Sequence, residues 1–310
     1  MELRLVGSEM CIRDRVTAME KTLLDCEQYI EEAMAEHATA QCPPLLAQAL
    51  NHAVFPGGAR VRPQLCKAVA LANNSSDVGL ANAAATAVEF LHCASLVHDD
   101  LPCFDDATQR RGKPSVHAKF GERIAVLTGD ALIVAAFQTL SAHAVQAVRA
   151  ERVPLVTTIV ARGVGAPHGI CAGQAWECEQ RVDLSRYHRA KTGALFVAAT
   201  CAGAAAAGVD PGPWVNLGAS IGEAYQVADD IKDAVSDPDA LGKPTGIDVK
   251  LDRPSAVREL GLDGAVARLK ECLEAGLDSM PACAGHDMLQ KLVSAQASRF
   301  IPEKIAQVAA

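Results

Sequence analysis

Two short acidic runs interrupt an alanine-rich, apolar sequence: His98-Asp99-Asp100-Leu101-Pro102-Cys103-Phe104-Asp105-Asp106 and Gln226-Val227-Ala228-Asp229-Asp230-Ile231-Lys232-Asp233. In the second, Asp229 and Asp233 are four residues apart, about 40° round an α-helix, so they share one face with Gln226 a turn earlier. Carboxylates so placed repel each other unless a cation lies between them. In the first run Asp99 and Asp105 would diverge on a regular helix. Pro102 removes a helical N–H and disfavours helix at Leu101, so the chain bulges and can return Asp105 toward Asp99. Either run alone reads most simply as a solvated helix end. Together they close two apolar segments (Ala83 to Leu101, Gly218 to Ala228) where bare carboxylates are costly to bury. Hard oxygen ligands suit Mg²⁺, which takes one or two carboxylates plus substrate phosphate oxygens. Arg60, Arg62, Arg110, Arg111, Lys191 and Lys243 offer the remaining neutralisation. The combination describes a diphosphate site.

The elements that must carry these residues are helical. Half of the 310 residues are hydrophobic but only 4% are aromatic, with Ala, Val and Leu dominant, which favours closely packed helices over sandwiches or barrels. Helix-length segments run over Met19 to Glu36, Pro43 to Val54, Leu65 to Ala72, Leu80 to Leu101, Ile124 to Ala150 and Leu155 to Val164. Others cover Ser185 to Ala207, Trp214 to Val235 and Ala265 to Leu277. Phe55-Pro56-Gly57-Gly58 breaks the chain before Pro63, which suits a first helical turn. Strands do not alternate with helices, so the expected class is all-α: a single-domain helical bundle, residues 19–310, around a central apolar cavity. Residues 1–18 carry no helical or strand period and are expected to be a non-native or disordered extension. The loop from Ser236 to Pro254, rich in Pro, Gly and charge, suits a lid over a phosphate-bearing ligand.

Charge and cysteine content narrow the function class. A net charge of −8 argues against nucleic acid as a partner and against anionic membrane surfaces. The 11 cysteines form no CxxC pair, so zinc spacing is absent and buried, reduced thiols in a cytoplasmic protein are expected. Ala194 to Val209, the longest apolar stretch, is shorter than the ~20 residues of a bilayer span and reads as a core helix, so no stable membrane insertion is expected.

With these residues in view, the chain resembles the trans-isoprenyl diphosphate synthases. Phe90 to Pro114 is similar to their first aspartate-rich motif in its DDxxxxD form, and Tyr225 to Asp233 to their second. Gly242-Lys243 with Gly246 and Asp248 resembles the loop after it, while Lys191-Thr192-Gly193 and Gly57-Gly58-x-Arg60-x-Arg62-Pro63 match two more blocks. Gly173-Gln174-Ala175-Trp176-Glu177-Cys178-Glu179 points to the bacterial geranylgeranyl diphosphate synthases of carotenoid pathways. The resemblance implies a homodimer that condenses isopentenyl diphosphate with an allylic diphosphate by ionisation, condensation and elimination, with three Mg²⁺ ions when substrate is bound. It implies metal ligation by Asp99, Asp105 and Asp229 with Asp100 and Asp233 in support. Arg110, Lys191, Thr192, Gln226 and Lys243 would hold the allylic diphosphate, with Arg253 in the place of a second loop lysine. Arg62, His92 and Arg111 would hold the diphosphate of isopentenyl diphosphate.

Two positions refine the expectation. The family's glycine-rich loop carries Lys where this chain has Ala59, which should weaken isopentenyl diphosphate binding unless Arg60 compensates. Ala94 and Ser95, one turn before Asp99, are small where family members that stop at fifteen carbons carry a bulky aromatic. The growing chain should therefore pass them to geranylgeranyl length, with Phe90, His117 or Phe120 as the stop. Three alternatives stay open: a non-catalytic partner subunit of the same fold, a synthase releasing mainly farnesyl diphosphate, and a terpene cyclase or head-to-head condensing enzyme. The Arg110-Arg111 pair and the glycine-rich loop speak against the last of these, because they imply a second diphosphate site.

Overall fold

The computed structural model describes residues 26–146, 149–180, 184–235 and 255–298. Within them the regular structure is helical, apart from a two-residue antiparallel pair, β1 (Gln109–Arg110) with β2 (Lys113–Pro114). In chain order come α1 (Cys26–His37), α2 (Pro44–Val54), α3 (Val61–Ala72), α4 (Val78–Asp99), α5 (Val116–Phe120), α6 (Glu122–Gln146) and α7 (Val153–Val164). They are followed by α8 (Ile170–Ala175), α9 (Leu184–His188), a π turn (Arg189–Gly193), α10 (Ala194–Ala207), α11 (Val215–Val235), α12 (Ala256–Asp278) and α13 (His286–Ser298). The all-α expectation holds.

α4 is the axis of the fold. Asp77 caps it, accepting from the Leu80 N–H at 3.0 Å and lying 3.2 Å from His143 Nε2 of α6, which fastens the start of α4 to a neighbouring helix. From Leu80 to Leu91 every side chain of α4 is buried, five of the twelve being alanine. Small side chains let α3, α6 and α10 approach closely, and at Gly203 of α10 an added Cβ would stand 2.2 Å from the Cys66 carbonyl of α3. Two apolar clusters result: one joins α4, α6 and α7, the other joins α3, α11, α12 and α13, and α10 contributes to both. Fully buried residues such as Phe90, Leu91, Leu195 and Trp214 each contribute about 1.5–3 kcal/mol of transfer free energy.

Three helical stretches are long and apolar enough to cross a membrane by length and composition: Val78–Asp99, Glu122–His143 and Arg186–Ala207. The last is longer than the Ala-rich stretch visible in the sequence, because α9 and the π turn continue into α10. The first and third are 83% and 72% buried inside the fold, but the second, within α6, only 39%. Val126, Leu127 and Val134 of α6 stand exposed on the surface.

Several elements differ from the sequence reading. α5 and α8 are too short to show a period, and α13 buries little besides Leu289 and Val293. α12 begins nine residues before the expected Ala265, in a largely exposed stretch with a break at Gly261 (φ 72°). All ten described cysteines are free, but Cys103, Cys171 and Cys178 are exposed, where buried thiols were expected.

Candidate active site

The ends of α4 and α11 face one cavity of about 1010 Å³, whose lining also includes residues of α6, α8 and the π turn. At its acidic end α4 stops at Asp99 and the chain folds back on itself. The Asp105 N–H donates to the Asp99 carbonyl at 3.0 Å, and Asp106 and Ala107 donate to Leu101 and Asp100. The break at Pro102 thus returns Asp105 to the helix end, and both Asp99 and Asp105 line the cavity. Burial pushes the Asp99 carboxyl above its ordinary pKa; Asp105 adds to the shift and Lys191 opposes it.

Asp99 is held from across the cavity. Gln174 Nε2 donates to Asp99 Oδ1 at 2.9 Å and also to Glu177 at 3.2 Å. Lys191 ion-pairs with Glu177 and lies 3.7 Å from Asp99, while the Tyr187 hydroxyl donates to Glu177 at 2.6 Å. α8 reaches the π turn because residue 173 is glycine; a Cβ there would stand 2.3 Å from the Lys191 nitrogen. Gln174, Glu177 and Tyr187 as a mesh on Asp99 are beyond the sequence reading, since nothing local links Gln174 to a residue 75 positions away.

On α11 the shared face is observed: Tyr225, Gln226, Asp229, Lys232 and Asp233 line the cavity. The Thr192 hydroxyl donates to Gln226 Oε1 at 2.7 Å, and Gln226 Nε2 donates to Asp230 at 2.9 Å. Asp230 is buried away from the cavity, and its other oxygen accepts the first N–H of α12, from Ala256, at 2.8 Å.

The cationic residues divide sharply. Arg110 donates through Nε to Asp100 at 2.9 Å and through Nη2 to the same oxygen. Asp100, expected beside the metal ligands, is buried with this guanidinium and does not line the cavity; its carboxylate serves to hold Arg110. Arg62 is buried, stacked 4.2 Å from the Phe196 ring and 5.3 Å from Tyr225, and its Nη1 donates to His92 Nε2 at 3.4 Å. Burial and the surrounding arginines hold His92 well below the usual histidine pKa, so it is neutral. Arg62 Nε is buried with no hydrogen bond, a cost that an anion in the cavity would relieve. Arg111 also lines the cavity, against Gly58 of the glycine-rich loop. Arg60 does not serve the cavity: it is buried, bound to Glu27, Glu89 and the Val54 carbonyl. The compensation for Ala59 by Arg60 is therefore ruled out; its charge is spent joining α1, α3 and α4.

Away from the acidic end the lining turns apolar: Leu91 and Ala94 of α4, Ile133 of α6, Val164 of α7 and Ile170 of α8, with Ser95 beside them. The expected stops do not border it. Phe90 is fully buried against His37, His117 bonds the Ala107 carbonyl at 3.0 Å, and Phe120 packs on His52. The α4 register explains this, because Leu91, Ala94 and Ser95 line the cavity, while Phe90, about 100° round the helix from Leu91, is turned against His37. Lys243, Arg253 and the rest of the Ser236–Pro254 loop lie outside the described residues, as does 1–18.

The donor set fits Mg²⁺ on chemical grounds: all the carboxylates facing the cavity offer hard oxygens. No three or more metal-binding side chains converge on one point among the described residues. The carboxylates supply only part of a coordination shell, as expected of Mg²⁺ that also takes phosphate oxygens and water.

Comparison with known proteins agrees with this geometry. The family model for polyprenyl synthetase matches residues 43–285. A geranylgeranyl diphosphate synthase of Cereibacter sphaeroides is 53% identical over 284 residues, covering 90% of this chain and 98% of that protein. One of Rhodobacter capsulatus is 47% identical, covering 89% and 94%. Among solved structures, a geranyltransferase from Helicobacter pylori complexed with magnesium and isoprenyl diphosphate superposes with a TM-score of 0.74 at 29% identity, covering 90% and 97%. With its helical fold, its paired acidic walls and these relatives, the chain belongs to the polyprenyl synthetase family.

Proposed function

We propose that this protein is a Mg²⁺-dependent prenyltransferase that condenses isopentenyl diphosphate with an allylic diphosphate and releases geranylgeranyl diphosphate. The observation that carries the reading is one cavity with two acidic walls and partly or fully buried cations at one end and apolar lining past Ala94 and Ser95 at the other. Asp99, Asp105, Asp229 and Asp233 would hold magnesium, three ions being the number the resemblance implies. Bound there, it supplies Lewis-acid neutralisation of the leaving diphosphate.

The side chains do the rest. Lys191, Thr192, Gln226 and Arg110, each held by a neighbour, orient the allylic diphosphate, and Arg62, His92 and Arg111 orient that of isopentenyl diphosphate. The allylic C–O bond breaks with its electron pair leaving on the diphosphate. The isopentenyl double bond then attacks the allylic cation, and the released diphosphate takes the proton whose loss restores a double bond. Preorganised donors around a water-poor cavity favour this ionisation because they need no rearrangement as charge develops. Incubation of isopentenyl diphosphate with dimethylallyl, geranyl or farnesyl diphosphate and Mg²⁺, followed by sizing of the products, tests the reading. We expect twenty-carbon product, with farnesyl diphosphate a good primer. Absence of turnover by the chain alone would favour a non-catalytic partner subunit.

We further infer a homodimer. Leu127 and Val134 of α6 are exposed outside the cavity, and the same side of the helix carries Val126 and the 60%-exposed Asp130, which also line the cavity. A carboxylate amid that face is costly in lipid and tolerable at the rim of a protein interface. This favours a second copy over a bilayer and supports a soluble, cytoplasmic protein; 19–310 as one domain and a product feeding carotenoid synthesis are what the resemblance implies. Sedimentation should give a species of about 65 kDa, twice the 32.5 kDa chain. A fully active 32.5 kDa species at micromolar concentration would overturn the inference.

A further inference from the structure

Among the described residues, five lysine and arginine side chains line the cavity: Arg62, Arg110, Arg111, Lys191 and Lys232. Arg110 is bound to Asp100, Lys191 to Glu177, and Arg62 is stacked on Phe196 and bonded to His92. Arg111 stands against the glycine-rich loop at Gly58. Lys232 differs from these. It lies on α11 three residues after Asp229 and one before Asp233, half-buried, and makes no hydrogen bond or ion pair with any described residue. A lysine three residues along a helix from a carboxylate is well placed to pair with it. Lys232 does not, and its side chain borders the cavity instead. At the same time the glycine-rich loop delivers no cation to the cavity, because residue 59 is alanine and Arg60 is consumed by Glu27 and Glu89.

We propose that Lys232 is a substrate-binding residue whose ammonium contacts a phosphate oxygen of a bound diphosphate, supplying positive charge that the loop at position 59 lacks. This rests on the diphosphate reading above. A lysine head is a compact point charge with three donors on a flexible stem, suited to a terminal phosphate oxygen whose position shifts between substrate and product.

The test is calorimetric binding of inorganic pyrophosphate, and separately of isopentenyl diphosphate, each with Mg²⁺, to the parent, Lys232→Gln and Lys232→Arg. Circular dichroism would confirm that each variant is folded. We expect Lys232→Gln to weaken at least one of the two ligands about tenfold, equivalent to about 1.4 kcal/mol, and Lys232→Arg to stay within about threefold of the parent. Equal affinity of the parent and Lys232→Gln for both ligands would overturn the assignment. So would equal losses in the two variants, which would point to stem packing rather than charge. A parent that binds neither ligand would sink the diphosphate reading itself, an outcome distinct from failure of the lysine assignment.

Discussion

Asp99→Asn and Asp229→Asn are each expected to lower turnover by about 10²–10³-fold or more, the scale seen when one preorganised electrostatic contact to a developing charge is removed, while the helical circular dichroism spectrum stays unchanged. The structure argues for this separation of activity from stability. Asp99 is already held above its ordinary pKa by burial, so its charge is a burden on the folded chain rather than a support. An asparagine oxygen can still accept the Gln174 hydrogen bond. What the substitution removes is the hard, charged ligand. Asp229 also borders the cavity, on the opposite wall, and the fastening of α11 to α12 runs through Asp230 instead. Steady-state rates with saturating isopentenyl and farnesyl diphosphates check the expectation. Retention of activity within a few-fold by both variants would remove the two residues from the metal site.

The second large effect concerns product length. Ser95→Phe should shift the main product from twenty carbons to fifteen without abolishing turnover. Each isoprene unit needs about 5 Å of channel, close to one helical turn, and Ser95 and Ala94 sit about one turn from Asp99 on the wall that the tail must pass. Ser95 is the cleaner site. It is half-buried, and its hydroxyl is tied only to the His92 carbonyl of its own helix, at 2.8 Å. Ala94 is 1% exposed and belongs to the core cluster, so Ala94→Phe is expected to act in the same direction but at a cost of about 1–3 kcal/mol in stability from overpacking. Chromatography of the dephosphorylated products reads the outcome. A parent that already releases mainly farnesyl diphosphate, or a variant whose product spectrum is unchanged, would mean that another residue sets the length.

The reach of sequence reading followed the range of the interactions involved. Asp229, Asp233 and Gln226 were legible because one helical period relates them, and the return of Asp105 followed from one proline. Contacts between distant segments were not. Gln174 on Asp99, Arg60 between Glu27 and Glu89, and the burial of Asp100 with Arg110 each depend on which way a helix faces in three dimensions, and no local pattern reports that. The misplaced stop at Phe90 has the same origin. A large residue one position from the cavity-facing Leu91 is rotated by about 100°, and the choice between them is made by α4 packing on all sides at once. Where a helix is apolar all round, as α4 and α10 are, periodicity carries no orientation.

The π turn at Arg189–Gly193 sets a phase relation along the chain. A regular helix there would continue the register of α10 without interruption; the wider turn accommodates about one surplus residue, and each residue of offset swings the preceding side chains by about 100° around the axis. Lys191 and Thr192 lie inside that turn, while Leu195, Phe196 and Ala199 beyond it are fixed by the core. The angular setting of the phosphate-facing residues is thereby decoupled from the packing of the helix they precede. Deleting a single residue within 189–193 would leave the buried face of α10 intact and turn the site's lysine and threonine out of register with Glu177 and Gln226. In this stretch the count of residues, as much as their identity, is what the chemistry depends on.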